Sequence, residues 1–377
     1  MKKRIGVIFG GRSGEHEISI RSAKTVVEQI DRAKYDVIPL AISEDGAWLS
    51  PAESAGLLPD SISEALPDDL PDWMDTRMVL AGDPELKGLI SHGVSSVSRP
   101  LPIDVLFPVL HGTFGEDGTI QGLFEMADIP YVGCGVLASA CGMDKVTMKV
   151  LFKSAGLPIC KYSWFTRNEW ERSPEIVKEK IFAAVRYPLF VKPANLGSSV
   201  GVSRADDDEA LAAAVELAAQ YDRKIVVEEA LEMREIECAV LGNDDVRASR
   251  PGEYIIRDKA KAFLDYTEKY AGTGNNEFVV PAPLSQELEN KIKEMAVAAF
   301  KAIDGSGLAR VDFFLRTDNG MLLVNEINTM PGLTDSSGFP KMWAGSGKPF
   351  TEVIDDLIDL AIERHTERSR TKTTFER

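Results

Sequence analysis

The chain has 377 residues, 44% of them hydrophobic and 27% charged, which is enough to bury a sizeable core and to build two or three domains. Its net charge of −16 argues against a nucleic-acid partner, which requires a basic surface. No stretch approaches the roughly 18 apolar residues of a membrane span, and the apolar run 5–9 is too short for a signal peptide. Four cysteines without CxxC spacing predict free thiols. We therefore expect a cytoplasmic protein that does not bind a membrane.

The first part of the chain, residues 1–143, is predicted to be an α/β domain. A strand, a helix and a second strand follow one another at the spacing of a βαβ unit, which indicates a parallel sheet. The elements expected here are strands at 3–9, 35–42 and 103–109, a strand at Tyr131, and a helix at 17–30. The acidic, proline-rich segment 51–75 is predicted to be an irregular insertion.

The remainder is predicted to form a central domain at 144–231, a C-terminal domain at 232–365 and a charged tail at 366–377. Asp144, Ser285 and Thr351 each precede a segment with helical apolar spacing, and each is predicted to cap a helix. The other elements expected are strands at 188–192, 224–228, 236–241, 310–315 and 321–326, and a helix at 207–220.

Two acids and an amide are predicted to meet on neighbouring strands. Residues two apart in a strand share a face, so Glu326 and Asn328 point the same way. The turn at 317–320 would fold this strand back beside Asp312. Oxygen ligands suit Mg²⁺, and two such ions could neutralise a triphosphate. The alternative, a solvated strand end with ordinary acids, fits the spacing equally well.

Two lysines are candidates for binding phosphate. Lys145 opens a helix, where the positive end of the helix dipole also favours anions. Lys192 ends an apolar strand and precedes the small-residue loop 193–201, whose backbone N–H groups could approach an anion closely. The alternative for either lysine is an ordinary surface charge.

Two other motifs suggest different chemistry. Residues 197–201 match the GxSxG pattern of serine hydrolases, but such an enzyme needs a later catalytic histidine. The only later histidine is His365, close to the charged tail, so a hydrolase is disfavoured. Residues 345–348 resemble the end of a P-loop without its Ser or Thr, and we reject that interpretation.

Taken together, seven segments resemble the D-alanine–D-alanine ligases of the ATP-grasp superfamily and occur in family order. They are 10–19, 111–122, 143–145, 192–201, 268–270, 310–312 and 325–334. The resemblance implies an α/β fold of three domains, with ATP between the central and C-terminal ones. It also implies that two D-alanines are joined through an acyl phosphate for peptidoglycan precursor synthesis.

The resemblance also implies roles for individual residues. Those at the nucleotide are Lys145, Lys192, Ser198, Glu228, Ala230, Leu231, Glu235 and Lys269. Those at the amino-acid substrates or the reacting atoms are Glu15, His111, Ser198, Lys269, Tyr270, Arg310, Gly332 and Ser337. Asp312, Glu326 and Asn328 would hold two Mg²⁺ or Mn²⁺ ions. Some family members carry a bulky tryptophan where this chain has Ala230.

Within this scheme, Glu15 would bind the ammonium of the first D-alanine, and the family links it through Ser198 to Tyr270. Arg310 and the Gly332 N–H would stabilise the tetrahedral oxyanion. Lys269 would cover the γ-phosphate and Ser337 would meet the second carboxylate. His111 is either a ligand for the first carboxylate or a structural histidine.

Segment 254–274 is expected to be a lid that excludes water.

Alternatives were also considered for the second substrate and for the activity. Tyr270 favours an amine acceptor over a hydroxy acid, whereas D-serine is harder to exclude because one hydroxyl discriminates weakly. Another ATP-grasp ligase is disfavoured by the matches at Glu15 and at residues 268–270. A nucleotide-binding protein without activity would be expected to lack a metal ligand or Arg310, and both are present. A homodimer is expected.

Overall fold

The computed structural model describes residues 2–59, 66, 76–91, 100–256 and 276–372. The strands in these ranges are β1 Lys3–Gly10, β2 Tyr35–Ile42, β3 Met78–Leu80, β4 Gly88–Ser91, β5 Leu101–Pro102, β6 Val105–Pro108, β7 Tyr162–Thr166, β8 Leu189–Pro193, β9 Ser203–Ala205, β10 Lys224–Glu229, β11 Met233–Gly242, β12 Arg247–Ala248, β13 Gly252–Ile256, β14 Asn276–Val279, β15 Gly307–Arg316 and β16 Leu322–Asn328. The helices are His16–Gln29, Pro51–Ala55, Thr119–Met126, Val136–Met143, Lys145–Ser154, Arg167–Arg172, Pro174–Ala184, Asp208–Tyr221, Gln286–Ala302, Gly338–Gly345 and Phe350–Ser369.

The N-terminal sheet is parallel, as the βαβ spacing predicts. Strand β1 lies between β2 and β6 and runs parallel to both. Its residues Ile5, Val7 and Phe9 are completely buried, which is typical of a parallel strand covered on both faces. At the strand predicted to include Tyr131, the structure has a single parallel bridge between this residue and Leu106 rather than a full strand. The chain turns away at once, because the next helix begins at Val136.

The insertion predicted to be irregular begins instead with a helix, Pro51–Ala55. The Ser50 side chain accepts a hydrogen bond from the Glu53 N–H (3.1 Å), and the Glu53 carboxylate accepts one from the Ser50 N–H (2.9 Å). This reciprocal capping box, with proline at the first helical position, is sufficient to start a helix. Residues 60–65 and 67–75 lie outside the described part of the chain.

An antiparallel sheet follows in the central part of the chain. Strand β10 lies between β7 and β8, and β9 pairs with β8. Side chains of Phe165, Val191 and Val227 pack with the helices Pro174–Ala184 and Asp208–Tyr221. The second of these helices was predicted from the sequence, and the first was not. This sheet carries Lys192 and Glu228 on its neighbouring strands.

The C-terminal sheet has the order β14–β13–β11–β15–β16, and all its pairs are antiparallel. The predicted hairpin is confirmed, because β15 and β16 place Asp312 opposite Glu326. The predicted cap at Asp144 is confirmed by hydrogen bonds from the backbone N–H groups of residues 146 and 147, at 3.1 and 2.9 Å. Ser285 also caps its helix, accepting from the Leu288 N–H at 3.3 Å.

The last helix differs from the prediction at both ends. It begins at Phe350 with Pro349 as its N-cap, so the predicted cap at Thr351 is wrong. It continues to Ser369, so the first residues of the predicted tail 366–377 are helical. This helix packs against the N-terminal helix and the C-terminal sheet through its first three turns, and its last residues, 366–369, are exposed. Among the described helices, none is long and apolar enough to cross a membrane.

Candidate active site

A cleft of about 770 Å³ lies between the central and C-terminal sheets. The predicted nucleotide residues that line it are Lys145, Lys192, Ser198, Glu228, Leu231 and Glu235. Apolar side chains of Phe190, Met233 and Phe314 line it as well. A cleft with apolar walls and a few lysines can hold a planar base and an anionic tail. Ala230 instead lines an adjoining cavity of about 880 Å³, which shares Leu231 with the cleft.

The carboxylate of Glu228 pairs with two lysines. Its Oε2 lies 2.6 Å from Lys192 Nζ, and its Oε1 lies 2.8 Å from Lys149 Nζ. Burial alone would raise the pKa of Glu228, but the two ammonium groups hold it well below the ordinary glutamate value. Lys149 was missed from the sequence; the only signal was its position one helical turn after Lys145.

The other phosphate candidate, Lys145, lies at the edge of the same cleft. Its Nζ donates to the Leu196 carbonyl at 2.8 Å and lies 3.7 Å from Glu326 Oε2. The strand that carries the predicted metal ligand Glu326 therefore lies next to Lys145, which is predicted to bind phosphate. Both lysine candidates are largely buried, with side chains 13% exposed, so the alternative of ordinary surface charges is not supported by their positions.

The small-residue loop has an unusual backbone. Ser198 and Ser199 have φ angles of +52° and +58°, a left-handed conformation that is uncommon for residues other than glycine. Such conformations concentrate at functional sites. The Ser198 hydroxyl donates a very short hydrogen bond to Glu15 Oε1, which joins the loop to the start of the first helix.

A second cavity, of about 880 Å³, adjoins the first cleft. We name the first space the nucleotide cleft and the second the substrate cavity, after the residues predicted to line them. The predicted substrate residues that line it are Glu15, His111, Ser198, Arg310, Gly332 and Ser337. Ser198 and Glu326 line both cavities, so groups bound in the two spaces would be neighbours. This adjacency suits transfer between a nucleotide and a small molecule.

Arg310 and Asp312 form a bidentate ion pair in which both N–O distances are 2.7 Å. Arg310 also lies 3.4 Å from Glu237. Asn328 accepts a hydrogen bond from the Met330 N–H at 3.1 Å through its Oδ1. In the described ranges, no three His, Cys, Asp or Glu side chains cluster as a metal site, so the predicted trio depends on two carboxylates and an amide.

His111 is buried, and protein groups contact both ring nitrogens. Its Nδ1 lies 3.1 Å from the Met330 carbonyl and its Nε2 lies 3.0 Å from the Ser22 hydroxyl. Because a carbonyl only accepts, Nδ1 carries the proton and Nε2 accepts from Ser22. Burial lowers the pKa of His111, which favours this neutral form. The contacts favour a structural role for the ring at the wall of the substrate cavity.

Glu116 is a buried acid that the sequence analysis did not single out individually. Its Oε2 accepts from the Gly112 N–H at 3.0 Å, and it lines the same cavity as Glu15. Burial, and then the nearby Glu15 carboxylate, raise the pKa of Glu116 well above the ordinary value. It lies within the motif 111–122, so its proximity to the site was detectable from the sequence, but the rise in its pKa was not.

Lys269 and Tyr270 lie outside the described residues, as does most of the predicted lid 254–274. Tyr254, at the start of that segment, is described. It lines the substrate cavity, and its ring centroid lies 4.6 Å from that of Phe278.

Two models of one protein family match this chain, and so do full-length relatives. The family model "D-ala D-ala ligase N-terminus" matches residues 4–134, and "D-ala D-ala ligase C-terminus" matches residues 151–359. A D-alanine–D-alanine ligase of Heliobacterium modesticaldum is 46% identical, covering 99% of this chain and 98% of that protein. One from Geobacillus thermodenitrificans is 46% identical, covering 100% of both.

Solved structures of ligases superpose on this chain over nearly its full length. The D-alanine–D-alanine ligase of Coxiella burnetii superposes with a TM-score of 0.81 at 35% identity, covering 98% of this chain and 96% of that one. The VanG D-Ala:D-Ser ligase of Enterococcus faecalis superposes with a TM-score of 0.81 at 37% identity, covering 96% of this chain and 100% of that one. The resemblance drawn from the sequence motifs is confirmed, and with it the ATP-grasp fold. This chain belongs to the D-alanine–D-alanine ligase family.

Proposed function

We propose that this protein joins two D-alanine molecules to D-alanyl-D-alanine at the expense of ATP, in the cytoplasm, for peptidoglycan precursor synthesis. The adjacency of the two cavities, which share Ser198 and Glu326, is the main support. A ligase must bring a carboxylate to the terminal phosphate of ATP. A substrate cavity that opens directly onto the nucleotide cleft satisfies this requirement.

The first step activates a carboxylate. An oxygen of the first D-alanine attacks the γ-phosphorus of ATP, which forms an acyl phosphate and releases ADP. Lys145 and Lys192 are proposed to hold the phosphates, and Glu228 and Leu231 the adenine. Glu235 is proposed to meet the ribose. Such positioning and charge neutralisation account for most of the catalysis of phosphoryl transfer.

The second step forms the peptide bond. The amine of the second D-alanine attacks the acyl carbonyl, loses a proton, and displaces phosphate through a tetrahedral intermediate. Arg310 and the Gly332 N–H are proposed to stabilise its oxyanion, and Ser337 to bind the second carboxylate. Removing one such donor typically costs about 3–4 kcal/mol in the barrier.

The recognition of the first substrate is proposed to depend on Glu15, whose carboxylate complements an ammonium group. Its hydrogen bond from Ser198 supports this assignment, because the bond fixes the carboxylate at the cavity wall. His111 is proposed to line the wall beside the first carboxylate, where Ser22 and the Met330 carbonyl hold its ring. The proposal includes two further residues. Tyr270 would be linked to Ser198, as in the family, and Lys269 would cover the γ-phosphate.

Two divalent cations, Mg²⁺ or Mn²⁺, are proposed to bind at Asp312, Glu326 and Asn328. The fit rests on the strand pairing, which puts Asp312 opposite Glu326, and on an all-oxygen donor set. When bound, such ions neutralise the phosphate charge during transfer. Arg310 holds Asp312 in place through their bidentate pair.

The decisive experiment supplies the purified protein with ATP, Mg²⁺ and D-alanine and measures phosphate release together with the dipeptide formed. We expect release with D-alanine and none with L-alanine. Parallel reactions with D-serine or D-lactate as the second substrate test the acceptor. Absence of D-alanine-dependent release would refute the proposal, and preferred incorporation of D-serine would favour D-alanyl-D-serine ligation instead.

A homodimer is also proposed. Met126 and Leu137, on two helices of the N-terminal region, are 65% and 60% exposed, and exposed apolar side chains are frequent at interfaces. Sedimentation of the purified chain tests this, and a mass of one chain at micromolar concentration would contradict it.

A further inference from the structure

The pairing of one carboxylate with two lysines calls for an explanation. Glu228 is only 2% exposed, and the Lys149 side chain is completely inaccessible. Lys149 lies on the helix Lys145–Ser154, where its Nζ also lies 3.5 Å from Cys160 Sγ and 3.4 Å from the Asn325 carbonyl. A buried charge is retained only when it is paired, and a single lysine would already pair with Glu228.

The two lysines differ in access to the nucleotide cleft. Lys192 lines the cleft, whereas Lys149 is not among its lining residues and packs behind Glu228. Lys192 is therefore the lysine that can contact phosphate, but its Nζ lies 2.6 Å from Glu228. An anion bound in the cleft would share the charge of Lys192 with Glu228, because the ammonium group has three N–H donors. Without another cation, the buried carboxylate of Glu228 would then be only partly neutralised.

We propose that Lys149 is a positioning residue, the resident counter-ion of Glu228 that frees Lys192 to bind the phosphates of the nucleotide. The proposal rests on the proposed nucleotide role of this cleft. Lys149 is held from three sides, by Glu228, the Cys160 thiol and the Asn325 carbonyl, so it remains beside Glu228 when Lys192 binds an anion.

The charge state of Lys149 agrees with this role. Burial by itself would lower the pKa of Lys149, yet the Glu228 carboxylate and the Cys160 sulfur keep it above the ordinary lysine value. The ammonium group is therefore charged at neutral pH, as a counter-ion must be.

The test measures the ratio of the affinity for ADP to the affinity for adenosine, because this ratio isolates the contribution of the phosphates. The variant Lys149→Met should lower this ratio by about tenfold, since Lys192 must now neutralise Glu228. Calorimetry and competition with a fluorescent nucleotide provide both dissociation constants. Lys153→Met is the matched control, because Lys153 is exposed on the same helix and its loss should leave the ratio unchanged.

A double variant tests the mechanism. Adding Glu228→Gln to Lys149→Met removes the charge that retains Lys192, so the ratio should return to within about threefold of the wild-type value. A general packing defect or a loss of adenine contacts would lower both affinities together and leave the ratio unchanged. An unchanged ratio in Lys149→Met, or a ratio that stays low in the double variant, would overturn the proposal.

Two further measurements keep the outcomes separate. If Lys149→Met fails to fold, Lys149→Gln takes its place, because the amide retains a hydrogen-bond donor toward Glu228 without the charge. The wild-type protein is also assayed for ADP binding and for D-alanine-dependent phosphate release. If the wild-type protein fails these assays, the proposed function is refuted. If the wild-type protein binds ADP, the results with the variants bear on the role of Lys149 alone.

Discussion

The hydroxyl of Ser198 donates a hydrogen bond to the carboxylate of Glu15, although 183 residues separate the two in the chain. Ser198 belongs to the loop that also lines the nucleotide cleft, and Glu15 precedes the first helix of the N-terminal domain. One hydrogen bond therefore joins the wall of the nucleotide cleft to the wall of the substrate cavity.

The variant Ser198→Ala should lower kcat/KM for D-alanine by about 10- to 100-fold, because a hydrogen bond to a charged group contributes about 1.5–3 kcal/mol. The effect should be larger for D-alanine than for ATP, since Glu15 lies in the substrate cavity. Steady-state kinetics with each substrate varied in turn provides the comparison. Ser203→Ala, just beyond the loop, is the control, and equal losses in both variants would contradict the assignment.

The variant Asp312→Ala should reduce kcat by about 100-fold or more, the order of loss when one electrostatic stabiliser of a transition state is removed. The protein should remain folded by circular dichroism. Asp318→Ala is a closely matched control, because Asp318 pairs bidentately with Arg316, at 2.9 and 2.6 Å, in the same i,i+2 arrangement on the protein surface. Exposed pairs contribute about 0–1 kcal/mol, so this variant should retain activity. Full activity of Asp312→Ala with Mg²⁺ would refute the proposed metal role.

His111 should contribute to the pH dependence of stability. Its pKa is lowered by burial, so on acidification the unfolded chain binds a proton near the ordinary histidine value of 6.5 before the folded protein does. Stability from this group is therefore present above that pH and is lost as the pH falls. Urea unfolding at about pH 8 and about pH 5.5 should show that the stability advantage of wild type over His111→Gln shrinks at the lower pH. An advantage that grows on acidification would show that the ring is charged in the folded state.

Arg364 should stabilise the packing of the last helix on the rest of the protein. Its guanidinium donates to the Ser306 hydroxyl at 2.8 Å and to the Tyr131 carbonyl at 3.0 Å, and lies 4.2 Å from the Tyr131 ring centroid. Arg364→Ala should lower the free energy of unfolding by about 2–4 kcal/mol. Urea denaturation measures the change. Arg370→Ala, exposed at the end of the same helix, should change it by less than about 1 kcal/mol.

Local signals predicted the elements that local energetics control. The caps at Asp144 and Ser285 were predictable because a side-chain oxygen satisfies backbone donors two or three residues away. The same reasoning failed at Thr351, because Pro349 already supplies an extended residue before the helix. The short helix Pro51–Ala55 was missed although its capping box is visible in the sequence. The acidic, proline-rich composition of 51–75 indicates irregular structure for the segment as a whole, whereas the cap acts only on its first residues.

By itself, the sequence determined the class of fold, the family and the hairpin that pairs Asp312 with Glu326, because periodicity, caps and contiguous motifs are local properties of a chain. Only the tertiary structure decided that Lys149 and Lys192 share one carboxylate, and that both nitrogens of His111 are engaged. Burial and charge pairing depend on which distant segments meet. No local pattern in the sequence records which segments meet. The charge pairing of the two lysines and the protonation of the His111 ring therefore follow only from the folded structure.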